Sequence, residues 1–188
     1  MSTQVTTDIY GLILAGGESK RMGFDKAMIN YHGMPQVDYV AELLERFLPE
    51  VYVSLHPNRI YDFSHRVLKD TYFDMGPFGG VLTAFQFKSD VAWLTIPVDM
   101  PFVDEAIIVE LIMHRDCSKM ATCFHDPSSG FPEPLLTIWE PHAYPVLLQK
   151  LEEGNTSLRR ILSSIDATIL MPAVPEKLRG VNSAGPLV

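Results

Sequence analysis

Continuous apolar runs along this chain alternate with stretches whose apolar residues fall three and four apart. Buried strands alternating with amphipathic helices leave that mark. Ile9 to Leu14 is the first apolar run and leads into Gly16-Gly17, a buried strand entering a loop. From Gln36 to Leu48 the apolar positions are Val37, Val40, Ala41, Leu44, Phe47 and Leu48, a helical stripe bounded by Pro35 and Pro49. Strands are expected at Val51–Leu55 and around Arg66–Leu68. The Gly76-Pro77-Phe78-Gly79-Gly80 turn opens a helix through about Lys88, and Val91–Val98 is a second strongly apolar strand. Asp104 caps a helix carrying Ile107, Ile108, Leu111 and Ile112. Strands at Met120–Phe124 and Leu135–Trp139 follow. Two helices come next, marked by Tyr144, Leu147, Leu148 and Leu151 and then by Leu158, Ile161, Leu162 and Ile165. Ala167–Met171 is a last strand, and the Pro- and Gly-rich tail after it has no period.

This alternation predicts an α/β fold of three layers, Rossmann-like, with a mostly parallel central sheet covered by helices on both faces. No boundary or repeat divides it, so residues 1–8 read as a flexible tail and 9–188 as one domain. In such sheets ligands bind at the carboxyl ends of strands, near a reversal of strand order. The two chemically richest loops follow the two most apolar strands, Ile9–Leu14 and Val91–Val98.

Composition narrows the partners. With 47% hydrophobic residues in 188, the chain buries a full core and is not disordered. A net charge of -8 argues against nucleic acid as a partner. The polar start, the lack of any long apolar run and only two cysteines, Cys117 and Cys123, give no signal peptide, membrane span or disulfide framework. A reducing cytoplasm is the expected compartment.

Against this acidic background, Lys20, Arg21 and Lys26 crowd into seven positions beside Gly16, Gly17 and Gly23. Glycine lets backbone N–H groups approach a phosphate closely, and the cations offset its charge. The spacing fits neither the P-loop pattern nor the GxGxxG fingerprint. Asp99 follows the second apolar strand in Val98-Asp99-Met100-Pro101-Phe102, where a strand end presents a carboxylate from rigid support. Hard oxygen of that kind suits Mg²⁺. Asp70 closes Arg66-Val67-Leu68-Lys69 and reads equally as a turn residue or a site residue.

Leu14-Ala15-Gly16-Gly17-Glu18-Ser19-Lys20-Arg21-Met22-Gly23-Phe24-Asp25-Lys26 resembles the signature of the molybdenum cofactor guanylyltransferases. Gly76–Gly80, Val98–Phe102 and Val181-Asn182-Ser183 follow in the same order, so the resemblance runs from Ile9 to about Asn182. It implies a fold like that of the nucleotide-diphospho-sugar transferases. The implied reaction is transfer of GMP from GTP to molybdenum-bound molybdopterin, with Mg²⁺ as cofactor. Molybdoenzymes or their chaperones are the implied recipients.

By the same resemblance, Leu14, Ala15 and Gly16 hold the nucleotide through backbone, and Lys26 binds its phosphate. Asp70 belongs to the GTP site, and Asp99 holds Mg²⁺ and contacts the nucleotide. Arg21 joins Lys26 and Asp99 in catalysis, and Gly79-Gly80 line the pocket. Two departures fall elsewhere. Ser54 stands where the family often has a nucleotide-touching Asn. The tail Gly180–Gly185 keeps only the second Asn, Asn182, of a string tied to the pterin side. Rival readings are a related transferase using CTP or a sugar phosphate, and a non-catalytic nucleotide-binding protein that handles the cofactor.

Other signals point less sharply. His114, Cys117, Cys123 and His125 lack the spacing of zinc ligands. Glu133, between Pro132 and Pro134, is either an acceptor-orienting group or a solvated acid in an extended loop. Ser157-Leu158-Arg159-Arg160 is either an anion contact or a solvated helix face. Met22, Met75 and Met100 read as core filler.

Overall fold

The computed structural model describes residues 8–15, 26–59 and 64–181. Its strands are β1 (Ile9–Leu14), β2 (Val51–Leu55), β3 (Arg66–Lys69), β4 (Ala92–Pro97), β5 (Ala121–Asp126), β6 (Phe131–Trp139) and β7 (Ala167–Leu170). They form one sheet in the order β3-β2-β1-β4-β6-β5-β7. Only β6 runs against its neighbours; every other pairing is parallel. The chain leaves β1 towards β2 and β3, then returns to place β4 on the other side of β1. That reversal sets the crevice at the carboxyl ends of β1 and β4.

The helices are α1 (Gln36–Glu45), α2 (Pro77–Phe87), α3 (Glu105–Met113), α4 (Tyr144–Glu152) and α5 (Leu158–Leu162). The period of two along the strands divides the core between them. Ile9 and Ile13 of β1 and Leu94 and Ile96 of β4 pack with Val40 and Leu44 of α1 and Ile108 and Leu111 of α3. On the opposite face, Leu12, Leu14 and Trp93 pack with Phe78, Leu82 and Phe85 of α2 and with Ile161 of α5. Strands buried on both faces have to be apolar throughout, which is why β1 and β4 read as unbroken runs.

Most expected elements stand within a few residues of their sequence bounds. α1 stops at Glu45, although Phe47 and Leu48 are still buried, and α5 stops at Leu162. The Asp104 side chain accepts from Ile107 N–H, as a helix cap should. The aperiodic tail contains a short 3-10 turn, Pro175–Leu178, tied to that cap by the Lys177–Asp104 ion pair.

The largest departure is β6. It starts at Phe131, so Pro132, Glu133 and Pro134 are strand and not loop. Pairing with β4 reaches only Thr137 to Trp139, so the first residues of β6 face no partner on that side. Proline's missing N–H costs nothing at such an edge. The same edge lies beyond the end of β4, where Asp99 begins its loop.

One polar group is built into the core margin. Arg115 donates through Nε to Glu140 Oε1 at 2.6 Å and through Nη2 to Oε2 at 2.8 Å, while Nη1 reaches Asp8 at 2.7 Å. Glu140 is 2% exposed, and a carboxylate so buried requires this bidentate partner.

Candidate active site

Four parallel strands deliver their last residues to one edge of the sheet. Leu14 and Ala15 close β1, Ser54 and Leu55 close β2, Asp70 follows β3 and Asp99 follows β4. Lys26 lies 73 positions from Asp99, yet its Nζ donates to Asp99 Oδ2 at 3.0 Å. The pair is partly open to solvent, with side chains 24% and 30% exposed, so an incoming anion or cation can compete for either partner.

The segment after Lys26 is fastened to the loop after Asp99. His32 Nε2 lies 2.9 Å from the Pro101 carbonyl, which makes that nitrogen the donor. Its ring stacks on Tyr39 at 3.8 Å, and the Tyr39 hydroxyl donates to the Val103 carbonyl at 3.3 Å. Burial raises the Tyr31 pKa above the usual tyrosine value, and the Asp99 charge adds to the rise. None of Tyr31, His32 or Tyr39 carried a sequence signal, because each acts only through a contact across the fold.

Asp70 stands three strands from Asp99 along the edge, about 14 Å at normal strand spacing. The two acids therefore mark opposite ends of a ledge and cannot share an ion. Ser54 Oγ donates to Asp70 Oδ1 at 2.7 Å. Burial pushes the Asp70 carboxyl up, and the Ser54 hydrogen bond pulls it back part of the way. Both side chains are buried, so Ser54 supports Asp70 from beneath.

Gly79 and Gly80 have a packing role. Both are buried in α2; a Cβ on Gly79 would sit 1.9 Å from the Tyr72 carbonyl, and one on Gly80 would sit 2.6 Å from Ser54 Oγ. They let α2 close down on the Tyr72 carbonyl and the Ser54 hydroxyl.

The backbone role of Leu14 and Ala15 also narrows. The Ala15 N–H donates to the Ser54 carbonyl at 3.2 Å, and the Leu14 carbonyl accepts from Val98 at 3.4 Å. The sheet thus uses the Ala15 N–H and the Leu14 carbonyl. Gly16 and Arg21 lie outside the described residues, as do Lys20, Gly23 and Asn182.

A cavity of about 530 Å³ opens beside Asp99. Asp99, Asp126, Glu133, Arg159, Arg179 and Gly180 line it. The Val181 N–H donates to the Asp99 carbonyl at 2.7 Å, which brings the C-terminal segment into the site. Arg179 lies over the Phe102 ring at 4.8 Å. Glu133 is only 6% exposed, so the solvated-acid reading does not hold. Its Oε1 accepts from Leu135 N–H at 2.8 Å. Burial pushes its carboxyl up to about 7; the Leu135 N–H and Arg159 pull down, while Asp126 and Asp99 push up.

Arg159 also lines this cavity, so that part of the Ser157–Arg160 segment is not merely a solvated face. Cys123 is buried in β5 and Cys117 is exposed. Burial, helped by Glu133, pushes the Cys123 thiol up to about 12 and keeps it protonated at neutral pH. Met100 is buried and Met75 packs partly buried against the core; Met22 lies outside the described residues.

Residues 11–168 match the family described as the MobA-like NTP transferase domain. The chain belongs to this family. Membership makes it a nucleotidyltransferase. It is 32% identical over 180 residues to a molybdenum cofactor biosynthesis bifunctional protein of Synechocystis, covering 94% of this chain and 52% of that one. The chain thus spans about half the length of that relative. A molybdenum cofactor guanylyltransferase of Pseudomonas entomophila is 28% identical, with 80% of each chain covered. In fold, the chain is similar to a molybdopterin-guanine dinucleotide biosynthesis protein A of Archaeoglobus fulgidus. That structure gives a TM-score of 0.71 at 19% identity, covering 91% of this chain and 85% of the other. Among the described residues, no helix is long and apolar enough to cross a membrane.

Proposed function

We propose that this protein transfers GMP from MgGTP to the terminal phosphate of molybdenum-bound molybdopterin, forming the guanine dinucleotide cofactor and pyrophosphate. The observation that carries the reading is the Lys26–Asp99 pair at the strand-order reversal, in a family whose named relatives include guanylyltransferases. In the transfer, an oxygen of the acceptor phosphate forms a bond to the α-phosphorus of GTP. The bond from that phosphorus to the bridging oxygen breaks, and its electron pair leaves with pyrophosphate. The nucleophile is already an anion, so catalysis consists of alignment and charge neutralisation.

Asp99 fits Mg²⁺ that arrives with the nucleotide. It offers one partly exposed carboxylate, and Mg²⁺ at phosphate-transfer sites is commonly held by one or two carboxylates plus phosphate oxygens. When bound, the ion would neutralise charge developing on the phosphates. Lys26, released from Asp99, turns its ammonium to the triphosphate. Asp70 contacts the nucleoside end, and Arg21 and the Gly16 backbone complete the phosphate side. The cytoplasm is the proposed compartment, and molybdoenzymes or their chaperones are the proposed recipients.

The test is pyrophosphate release with molybdenum-loaded molybdopterin and each of GTP, CTP and ATP, with and without Mg²⁺. Turnover should require GTP and Mg²⁺, and Asp99→Ala should lower it about 10²- to 10³-fold. Preference for CTP would replace the guanylyl reading by a cytidylyl one. Tight GTP binding without pyrophosphate release would point to a non-catalytic carrier.

A further inference from the structure

Resting on that reading, we propose that Glu133 recognises the pterin of the acceptor, its carboxylate accepting the adjacent N–H groups of the 2-amino-4-oxopyrimidine edge. Register places the residue where such a ligand has to lie. Each step forward on β4 is a step back on β6, with Trp93 opposite Trp139 and Thr95 opposite Thr137. Pairing with β4 stops at Thr95 and Thr137, so Glu133 lies on the part of β6 that β4 leaves unpaired, towards the Asp99 loop, whose charge acts on it. β4 ends at Pro97 while β6 continues, and the space left over the end of β4 is the cavity. Its volume, about 530 Å³, lies in the range of small-molecule sites.

The cavity carries both signs of charge. Arg179 sits over Phe102, and Gly180 and Val181 lie against the Asp99 carbonyl, so one end carries a cation beside the reacting centre. Arg159 lies over the Phe131 ring at 6.0 Å and acts on Glu133 through its charge. Glu133 lines the same cavity, and among the described residues no cation forms a salt bridge with it. A buried carboxylate without a counter-ion is costly unless a ligand supplies donors. Oε1 already accepts from Leu135 N–H, yet each carboxylate oxygen can accept twice. Two parallel N–H donors on a planar ring match two carboxylate oxygens, as a guanidinium does. An anionic acceptor would therefore lie with its phosphate towards Arg179 and Asp99 and its pterin towards Glu133.

Among the described residues, the titratable and charged groups acting with Glu133 are Asp126 and Cys123 on β5, Asp99 after β4 and Arg159 on α5. Its carboxyl, pushed up to about 7, is half protonated near neutrality, and only the ionised form accepts both N–H groups. The acceptor KM should accordingly rise as pH falls below about 7, and Glu133→Gln should flatten that limb.

The experiment measures inhibition of pyrophosphate release by 6-hydroxymethylpterin and by the matching lumazine, whose 2-oxo group replaces the amino donor. Wild type should favour the pterin about tenfold or more, since a mispaired buried polar group is heavily penalised. In Glu133→Gln the preference should fall to within about twofold, and the acceptor KM should rise about tenfold. Thermal unfolding and GTP titration check that the variant is folded and that its donor side is intact. If the folded variant keeps the wild-type preference and acceptor KM, or if wild type does not discriminate, the assignment of Glu133 is overturned while the transfer reaction stands. If wild type shows no turnover with authentic acceptor, the transfer reading fails and the assignment falls with it.

Discussion

Lys26 and Asp99 hold each other at 3.0 Å, and this sets what each substitution should do. Removing Lys26 deletes one charge-assisted contact to the triphosphate, worth about 1.5–3 kcal/mol. Lys26→Met should therefore raise the KM for GTP about 10- to 100-fold in steady-state assays, with a smaller effect on the acceptor KM. At Glu133 the consequence reaches stability. Its folded pKa, about 7, stands above the ordinary 4.5, so between those values the folded state binds more protons than the unfolded. Stability contributed by the neutral acid is thus present below about pH 4.5 and is lost as pH rises to about 7. Urea unfolding should show wild type losing stability over this window more steeply than Glu133→Gln. The gap at pH 8 should be about 3 kcal/mol in favour of the variant. Asp70, also raised by burial, adds a slope of the same sign.

At the scale of elements, α2 matters through what it lacks. Its two glycines allow the helix to approach the Tyr72 carbonyl and the Ser54 hydroxyl more closely than any Cβ permits. Gly79→Ala meets backbone at 1.9 Å and forces the helix outward, at a cost of about 1–3 kcal/mol. Chemical denaturation should register that loss, and the KM for GTP should rise because Ser54 and Asp70 move with the helix. Sequence pattern located α2 correctly but gave no sign of its glycines' packing role, since a glycine needed for close packing and one lining a ligand look alike in a chain. β6 was misread for a related reason. Proline argues against a strand only where the partner needs its N–H, and the open edge beside β4 is a tertiary fact.

Across the whole molecule, nucleotide binding to the folded chain alone should raise its stability. With GTP and Mg²⁺ at about 100 times Kd, the gain is about 2.7 kcal/mol. For a chain of 188 residues this corresponds to a rise in Tm of about 5–10 °C, read by scanning fluorimetry. Chelating Mg²⁺ should remove most of the rise, and Asp99→Ala should make the response indifferent to the chelator.

By itself, the sequence determined the class of the fold and the donor-side candidates. Continuous apolar runs can be buried only as two-faced strands, and local patterns of 2.0 and 3.6 residues are written in neighbouring positions. Lys26 and Asp99 were legible because a cation in a glycine-rich loop and an acid after an apolar strand are unusual locally. Only tertiary structure decided that the two touch, that Asp70 stands at the far end of the ledge, and that Ser54 serves Asp70. It also decided that Glu133, an unremarkable acid between prolines, is buried and lines a cavity with Asp99. The reason is physical: strand order and register depend on pairings between distant residues, and burial shifts a carboxyl only after the chain has closed around it.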